Sequence, residues 1–217
     1  MSQLPTEANL PLYYRYARPY VKALLEPIRL LRYDICVNRG QYCAPPETVK
    51  VRLIRNYLLQ SSSRVLIETG TYLGDAAKAL HSHCSRLITM EVAPTIYAAA
   101  SRRLHKYKNV TVLLGDCEVL LPQLLAELST DATFWLDAHY SAGITGKGNN
   151  ADPILASLAI IGQHKSNQHT IIIDDARTFD GINDRPRIDS VIAALYSINQ
   201  HYIVKIQSDM IVASPAT

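Results

Sequence analysis

The sequence predicts a doubly wound α/β domain: five parallel strands, a C-terminal antiparallel hairpin and a helical N-terminal extension. Three observations predict it. Apolar runs at 65–67, 87–90, 110–114, 133–136 and 170–173 alternate with helix-length segments, a pattern that gives right-handed β-α-β crossovers in a parallel sheet. The last two runs, 202–206 and 210–213, are separated by only Gln207, Ser208 and Asp209, which is too short for a crossover and forces antiparallel pairing. Finally, residues 64–75 read RVLIETGTYLGD: a strand, a glycine turn and a helix start, the half-unit beyond which such sheets bind ligands.

Taken in order, residues 1–44 hold short helical candidates at 15–25 and 28–33, broken by Pro19 and Pro27. Tyr13, Tyr14, Tyr16 and Tyr20 cluster there, an aromatic group suited to packing on the next domain. Pro45-Pro46 opens a helix to about 60, with Val49, Leu53 and Tyr57 on one stripe and Ile54 and Leu58 beside it. Strand 1 follows Ser61-Ser62-Ser63, and Asp75 stands where an N-cap would start the helix 76–80. Further helices are expected at 94–106, 118–128 (capped by Asp116), 153–163 and 188–198. The expected division is an extension or cap over 1–60 and a ligand-binding domain over 61–217.

The 217 residues suffice for one sizeable core. No apolar run approaches a membrane span, and the polar start MSQLPTEANL is not a signal peptide. Cys36, Cys43, Cys84 and Cys117 form no C-x-x-C pair, which argues against a zinc site or redox dithiol and for a reducing, cytoplasmic setting. The first 60 residues carry nine basic and four acidic side chains, so their charge is +5 and the remainder holds −2. The expectation for these cations is a solvated helix face. They are scattered and follow no nucleic-acid-binding pattern.

The first turn discriminates among ligands. A dinucleotide fingerprint needs G-x-G-x-x-G and a P-loop ends in Gly-Lys-Ser/Thr, whereas this chain has E-x-G-x-x-x-G with Glu68 before the turn and Asp75 after it. Flanking acids suit a ligand with an amino group or other positive charge better than a pyrophosphate. Every parallel strand moreover finishes on an acid: Glu68, Glu91, Asp116, Asp137 and Asp174. Carboxylates gathered along one sheet edge are costly unless cations or hydrogen-bond donors offset them.

At these residues the chain resembles the class I S-adenosylmethionine-dependent methyltransferases, whose Rossmann-like sheet also ends in a hairpin; the resemblance spans 64–213. It implies that Gly70, Thr71 and Gly74, with Glu68, Thr69, Tyr72 and Asp75 around them, approach the methionyl part of the cofactor. It places Glu91, 23 residues after Glu68, on the ribose, and Asp116 with Cys117 on the adenine. Asp137, at the tip of strand 4, would face the cofactor and with His139 form the catalytic pair.

Asp174, Asp175 and His139 make a hard-ligand set with one imidazole, suited to Mg or Mn. The set resembles the metal-dependent macrocin-type sugar O-methyltransferases, from which the chain departs by having His139 where an acid is expected. Two mechanisms therefore stay open: Asp137 or His139 as general base, or a metal that lowers the acceptor's pKa. The loop at 143–150 contains Gly-Lys but does not follow a strand directly, and reads as a lid rather than a P-loop. The expected activity is O-methylation of a sugar or other small-molecule hydroxyl, with no nucleic-acid or membrane partner and with a homodimer admitted. The competing readings are a metal-dependent glycosyltransferase, taking Asp137-x-His139 as a degenerate nucleotide-sugar motif, and a non-catalytic S-adenosylmethionine-binding protein.

Overall fold

The computed structural model describes residues 18–41, 43–137, 153–182 and 185–216. Its seven-stranded sheet comprises β1 (Val65–Thr69), β2 (Arg86–Glu91), β3 (Val110–Leu114), β4 (Thr133–Leu136), β5 (Thr170–Ile173), β6 (Ile203–Gln207) and β7 (Met210–Ser214). The spatial order is β3-β2-β1-β4-β5-β7-β6. The first five strands pair in parallel, and β7 is antiparallel to both β5 and β6. The expected sheet and hairpin are both present. Between β1 and β4 the order reverses, and this switch point opens a crevice beyond the strand ends.

β1, β4 and β5 are buried along their whole length, as central strands of a parallel sheet covered on both faces must be. One face packs Ile67, Ile88, Phe134 and Ile171 against α5 (Cys117–Glu127), α6 (Ile154–Ile161) and α7 (Ile188–Ile198). The other packs Leu66, Leu87, Trp135 and Ile172 against Ile54 and Leu58 of α2 (Glu47–Gln60) and Ala76 and Ala77 of α3 (Asp75–Leu80). α2 is thus built into the sheet's core. α4 (Pro94–Leu104) begins with the proline at its first helical position, where the missing N–H costs nothing.

Two local expectations are corrected. The two short helices expected in the N-terminal segment are one helix, α1 (Arg18–Asn38), which runs through Pro27. Pro19 falls in its first turn, where an N–H has no intrahelical partner anyway, and Pro27 removes a single bond from a helix long enough to bear it. Asp75 is not the N-cap of α3: that position belongs to Gly74 at φ 72°, with Asp75 the first helical residue. By contrast Asp116 does cap α5, accepting from the Glu118 N–H at 3.0 Å.

Gly74 also meets a packing limit, since a Cβ there would lie 2.8 Å from the buried Leu104 Cδ1. Gly74→Ala adds left-handed backbone strain to overpacking and is expected to destabilise by about 2–3 kcal/mol in urea unfolding. A loss under ~0.5 kcal/mol would show that the turn relaxes freely.

Candidate active site at the carboxyl edge of the sheet

The glycine turn after β1 is tied down from β2. Gly70 N and Thr71 N donate to the Met90 carbonyl at 3.0 and 2.9 Å, and the Thr71 and Thr89 hydroxyls meet at 2.6 Å. Gly70 takes φ 88° and Tyr72 φ 49°, so the turn holds a non-glycine residue in the left-handed region, a strain that tends to collect at functional sites. The Glu91 carboxylate braces the same turn, accepting from Tyr72 N at 2.8 Å and from Ala93 N at 2.9 Å. Burial nonetheless pushes its pKa up, against the pull of those backbone donors.

Above the turn lies a cavity of about 270 Å³ lined by Pro45, Glu47, Lys50, Glu68, Gly70, Thr71, Tyr72, Asp75, Ala76, Trp135, Asp137 and Asp174. Two of its walls carry unsatisfied polar atoms. Glu68 is 1% exposed and its Oε2 has no hydrogen-bond partner; Trp135 is 4% exposed and its Nε1 has none either. The two residues are direct neighbours across β1 and β4. Burial, with no cation to offset it, pushes the Glu68 carboxyl up to about 8. The Glu68 carboxyl has a hydrogen bond with Thr89 but leaves Oε2 unpaired beside the unpaired Trp135 N–H, and a polar, cationic ligand would complete both. The cavity's donor set therefore fits a cofactor of the kind that the resemblance implies.

The rest of the rim is not waiting for a cation, because the chain supplies its own. Arg18 and Lys22 of α1 reach Asp75 at 2.6 and 2.8 Å, and Arg103 of α4 reaches it at 2.8 Å. Burial alone would raise Asp75, but the three cations outweigh it and hold the carboxyl far below its usual range. Lys50 of α2 lies 2.7 Å from an Asp174 oxygen and 3.3 Å from Asp175, and Arg177 is 2.8 Å from Asp175. Burial works to lower the Lys50 pKa, yet Asp174, Asp175 and Asp137 together raise it and keep the ammonium charged. The expectation of a solvated basic face holds for Arg29, Arg32, Arg39, Arg52 and Arg55, which are exposed, but not for Arg18, Lys22 and Lys50, which are counter-ions of the acidic rim. Their value was hidden because the pairs are 53 to 124 residues apart in sequence; the only signal was the opposite sign of the two segments' net charges.

Asp137 is positioned by backbone. Its N–H donates to the Thr69 carbonyl and Oγ1, both at 3.2 Å, so Thr69 anchors the β4 tip and does not line the cavity. Burial and the neighbouring Asp174 charge raise the Asp137 pKa well above the ordinary carboxylate value, with Lys50 opposing. The structure thus gathers Glu68, Gly70, Thr71, Tyr72, Asp75, Asp137 and Asp174 around one space and leaves Thr69, Gly74, Glu91, Asp116, Cys117 and Asp175 outside its lining. Cys117 is buried, 3.9 Å from the Ser157 hydroxyl, and burial pushes its thiol up to about 11. His139 and the loop at 143–150 lie outside the described residues, as do Tyr13, Tyr14 and Tyr16. Lys50, Glu47, Pro45 and Trp135 are lining residues that the sequence did not single out as site residues.

Among the described residues no group of three or more His, Cys, Asp or Glu is arranged to hold a metal ion. Asp174 and Asp175 are engaged by Lys50 and Arg177, and the third member of the expected set, His139, lies outside the described residues. No helix among the described residues is long and apolar enough to cross a membrane.

No protein-family model matches the chain, and no curated protein matches it in sequence. Solved structures do match in fold. An O-methyltransferase from Bacillus cereus in complex with SAH aligns at TM-score 0.57 and 14% identity, over 90% of this chain and 97% of that one. The O-methyltransferase TomG from Streptomyces achromogenes, in complex with SAM, aligns at 0.56 and 15% over 84% and 86%. The SAH-bound methyltransferase PaMTH1 from Podospora anserina aligns at 0.55 and 16% over 96% and 98%. The chain shares the Rossmann-like fold of these methyltransferases.

Proposed function

We propose that the protein is an S-adenosylmethionine-dependent O-methyltransferase acting on a hydroxyl of a sugar or another small molecule. The observation that carries the reading is the pair of unsatisfied buried atoms, Glu68 Oε2 and Trp135 Nε1, in two residues that line a cavity at the switch point of the sheet. The acidic flanks of the turn favour a cationic ligand over a pyrophosphate. Solved neighbours of the same fold, bound to SAM or SAH, support the choice of cofactor.

In this reading Gly70, Thr71 and Tyr72 take the methionyl part, with Glu68 facing its positive charge. The ribose and adenine would run on beyond that cavity, past β2 to Glu91 and past β3 to Asp116 with Cys117, following the strand order along one side of the crevice. When bound, the cofactor supplies an activated methyl group. The chain's own part is to hold the acceptor hydroxyl against Asp137 and to take its proton there. A carboxylate with a raised pKa is a better base at neutral pH than an ordinary one, and the rate should rise with pH as Asp137 loses its proton. His139, two residues further on in sequence, is the alternative base. The cation beside the reacting oxygen is Lys50, in the place where a metal would otherwise be sought. α1 acts as the cap, lying over the rim.

Calorimetric titration with S-adenosylmethionine and S-adenosylhomocysteine tests this. Binding of both at micromolar levels, unchanged by chelator, is expected. Silence with both compounds would end the proposal; heat with UDP-sugars alone would replace it with a glycosyltransferase.

A further inference from the structure

α1 is docked the wrong way round for a helix of a monomer. It crosses the carboxyl edge of the sheet, from Arg18 at Asp75 to Tyr33, whose hydroxyl lies 3.3 Å from Ser208 in the β6–β7 turn. The side turned to the protein is polar: Arg18, Lys22, Glu26 and Tyr33 make its side-chain contacts. The side turned to solvent is apolar, with Tyr20 79%, Leu24 76%, Leu31 61% and Ile28 56% exposed, and Val21 and Ile35 also open. An amphipathic helix ordinarily buries its apolar stripe, and a contiguous exposed patch of this size marks an interaction surface.

The spacing of that stripe identifies what covers it. Val21, Leu24, Ile28, Leu31 and Ile35 follow one another by three, four, three and four residues, which is the a/d seam of a coiled coil. The a positions hold the β-branched Val21, Ile28 and Ile35 and the d positions hold Leu24 and Leu31, the distribution that favours two parallel strands. In that register Tyr20 at g meets Leu25 at e of the second helix, and Asp34 at g meets Arg39, of opposite charge.

We infer that the chain is a homodimer joined by a parallel two-stranded pairing of α1 with α1 of a second copy. The seam is self-complementary, as a two-fold interface requires. It also bears on the candidate site, because the helix that it would hold in place delivers Arg18 and Lys22 to Asp75. The inference stands apart from the proposed methyl transfer, since its readout is mass rather than activity.

Light scattering after size exclusion should give twice the chain mass at ~10 μM for the wild-type protein. The variant Leu24→Glu/Leu31→Glu should give the monomer mass with unchanged far-UV circular dichroism. Deleting residues 1–17 should leave the dimer intact, which separates a second copy from that segment as the occupant. A Leu31→Cys variant lacking Cys36 and Cys43, treated with a short bis-maleimide, should give a covalent dimer, because only a parallel pairing in register brings the two copies of residue 31 together. This last variant keeps the seam and guards against misfolding of the charged one. A wild-type monomer, a dimer that survives the two glutamates, a dimer lost on deleting 1–17, or failure of the cross-link would each overturn the inference.

Discussion

Lys50→Ala is expected to cost about 3–4 kcal/mol of stability and most of the activity. Lys50 is the cation that opposes the rise in the Asp174 pKa caused by burial, the side chain being only 1% exposed, and by the charge of Asp175; it likewise opposes the rise at Asp137. Removing one partner of a buried pair leaves the other charge without compensation, and that loss runs to several kcal/mol even where the intact pair is worth little. The remaining carboxylates would resist ionising together, so the variant should lose stability progressively as pH rises from ~4 to ~7. The same substitution exposes three hard oxygen donors. Millimolar manganese is therefore expected to raise the melting temperature of Lys50→Ala by about 3 °C or more while leaving the wild-type protein unmoved. Thermal melts with and without manganese decide it. An equal response in both proteins would mean that the lysine does not hold this place against a metal.

Glu68→Gln should do the opposite and stabilise. A carboxyl held near 8 in the folded protein, against about 4.3 in the unfolded chain, binds more protons folded than unfolded throughout that interval. Stability therefore falls as pH rises from ~4.5 to ~8 and then levels off. The glutamine variant carries no such penalty, and its advantage should grow across the same window to on the order of 3 kcal/mol, or about 8 °C, at pH 8.5. Melting curves at pH 5 and pH 8.5 measure it; an advantage that does not widen with pH would show that Glu68 is ionised in the free protein. A cationic ligand beside this carboxyl would favour its ionised form. Cofactor binding at pH 6.5 should therefore release close to one proton, seen as a dependence of binding heat on buffer protonation enthalpy. The release should vanish in Glu68→Gln.

Much of this fold was legible because its signals are local. Alternating apolar runs and helix-length intervals gave the five parallel strands, and the three residues between β6 and β7 could only close a hairpin. Asp116 was read correctly as a cap for the same reason, its partner being two residues away. The failures came where partners are distant. Pro27 looked like a break because proline removes a helix hydrogen bond, although the apolar spacing from Val21 to Ile35 runs straight through it. Asp75 looked like an N-cap, whereas its carboxylate is taken by α1 and α4. The row of acids was seen, but its counter-ions were not: nothing adjacent to Lys50 in sequence marks it as the companion of Asp174, 124 residues on. What the row leaves for a ligand is narrower than the count of acids suggests, and it centres on Glu68.

No described side chain of α1 is buried, and its grip on the sheet domain combines ion pairs from Arg18 and Lys22 to Asp75 and Glu47 with hydrogen bonds between Glu26 and Thr48 and between Tyr33 and Ser208. Such a grip is sensitive to ionic strength in a way that the close-packed sheet beneath it is not. Screening shortens from about 10 Å at 0.1 M salt to about 3 Å at 1 M, so concentrated salt should loosen the helix and unroof the crevice long before it unfolds anything. Solvent composition thus becomes a handle on access to the site, with the strands themselves as bystanders.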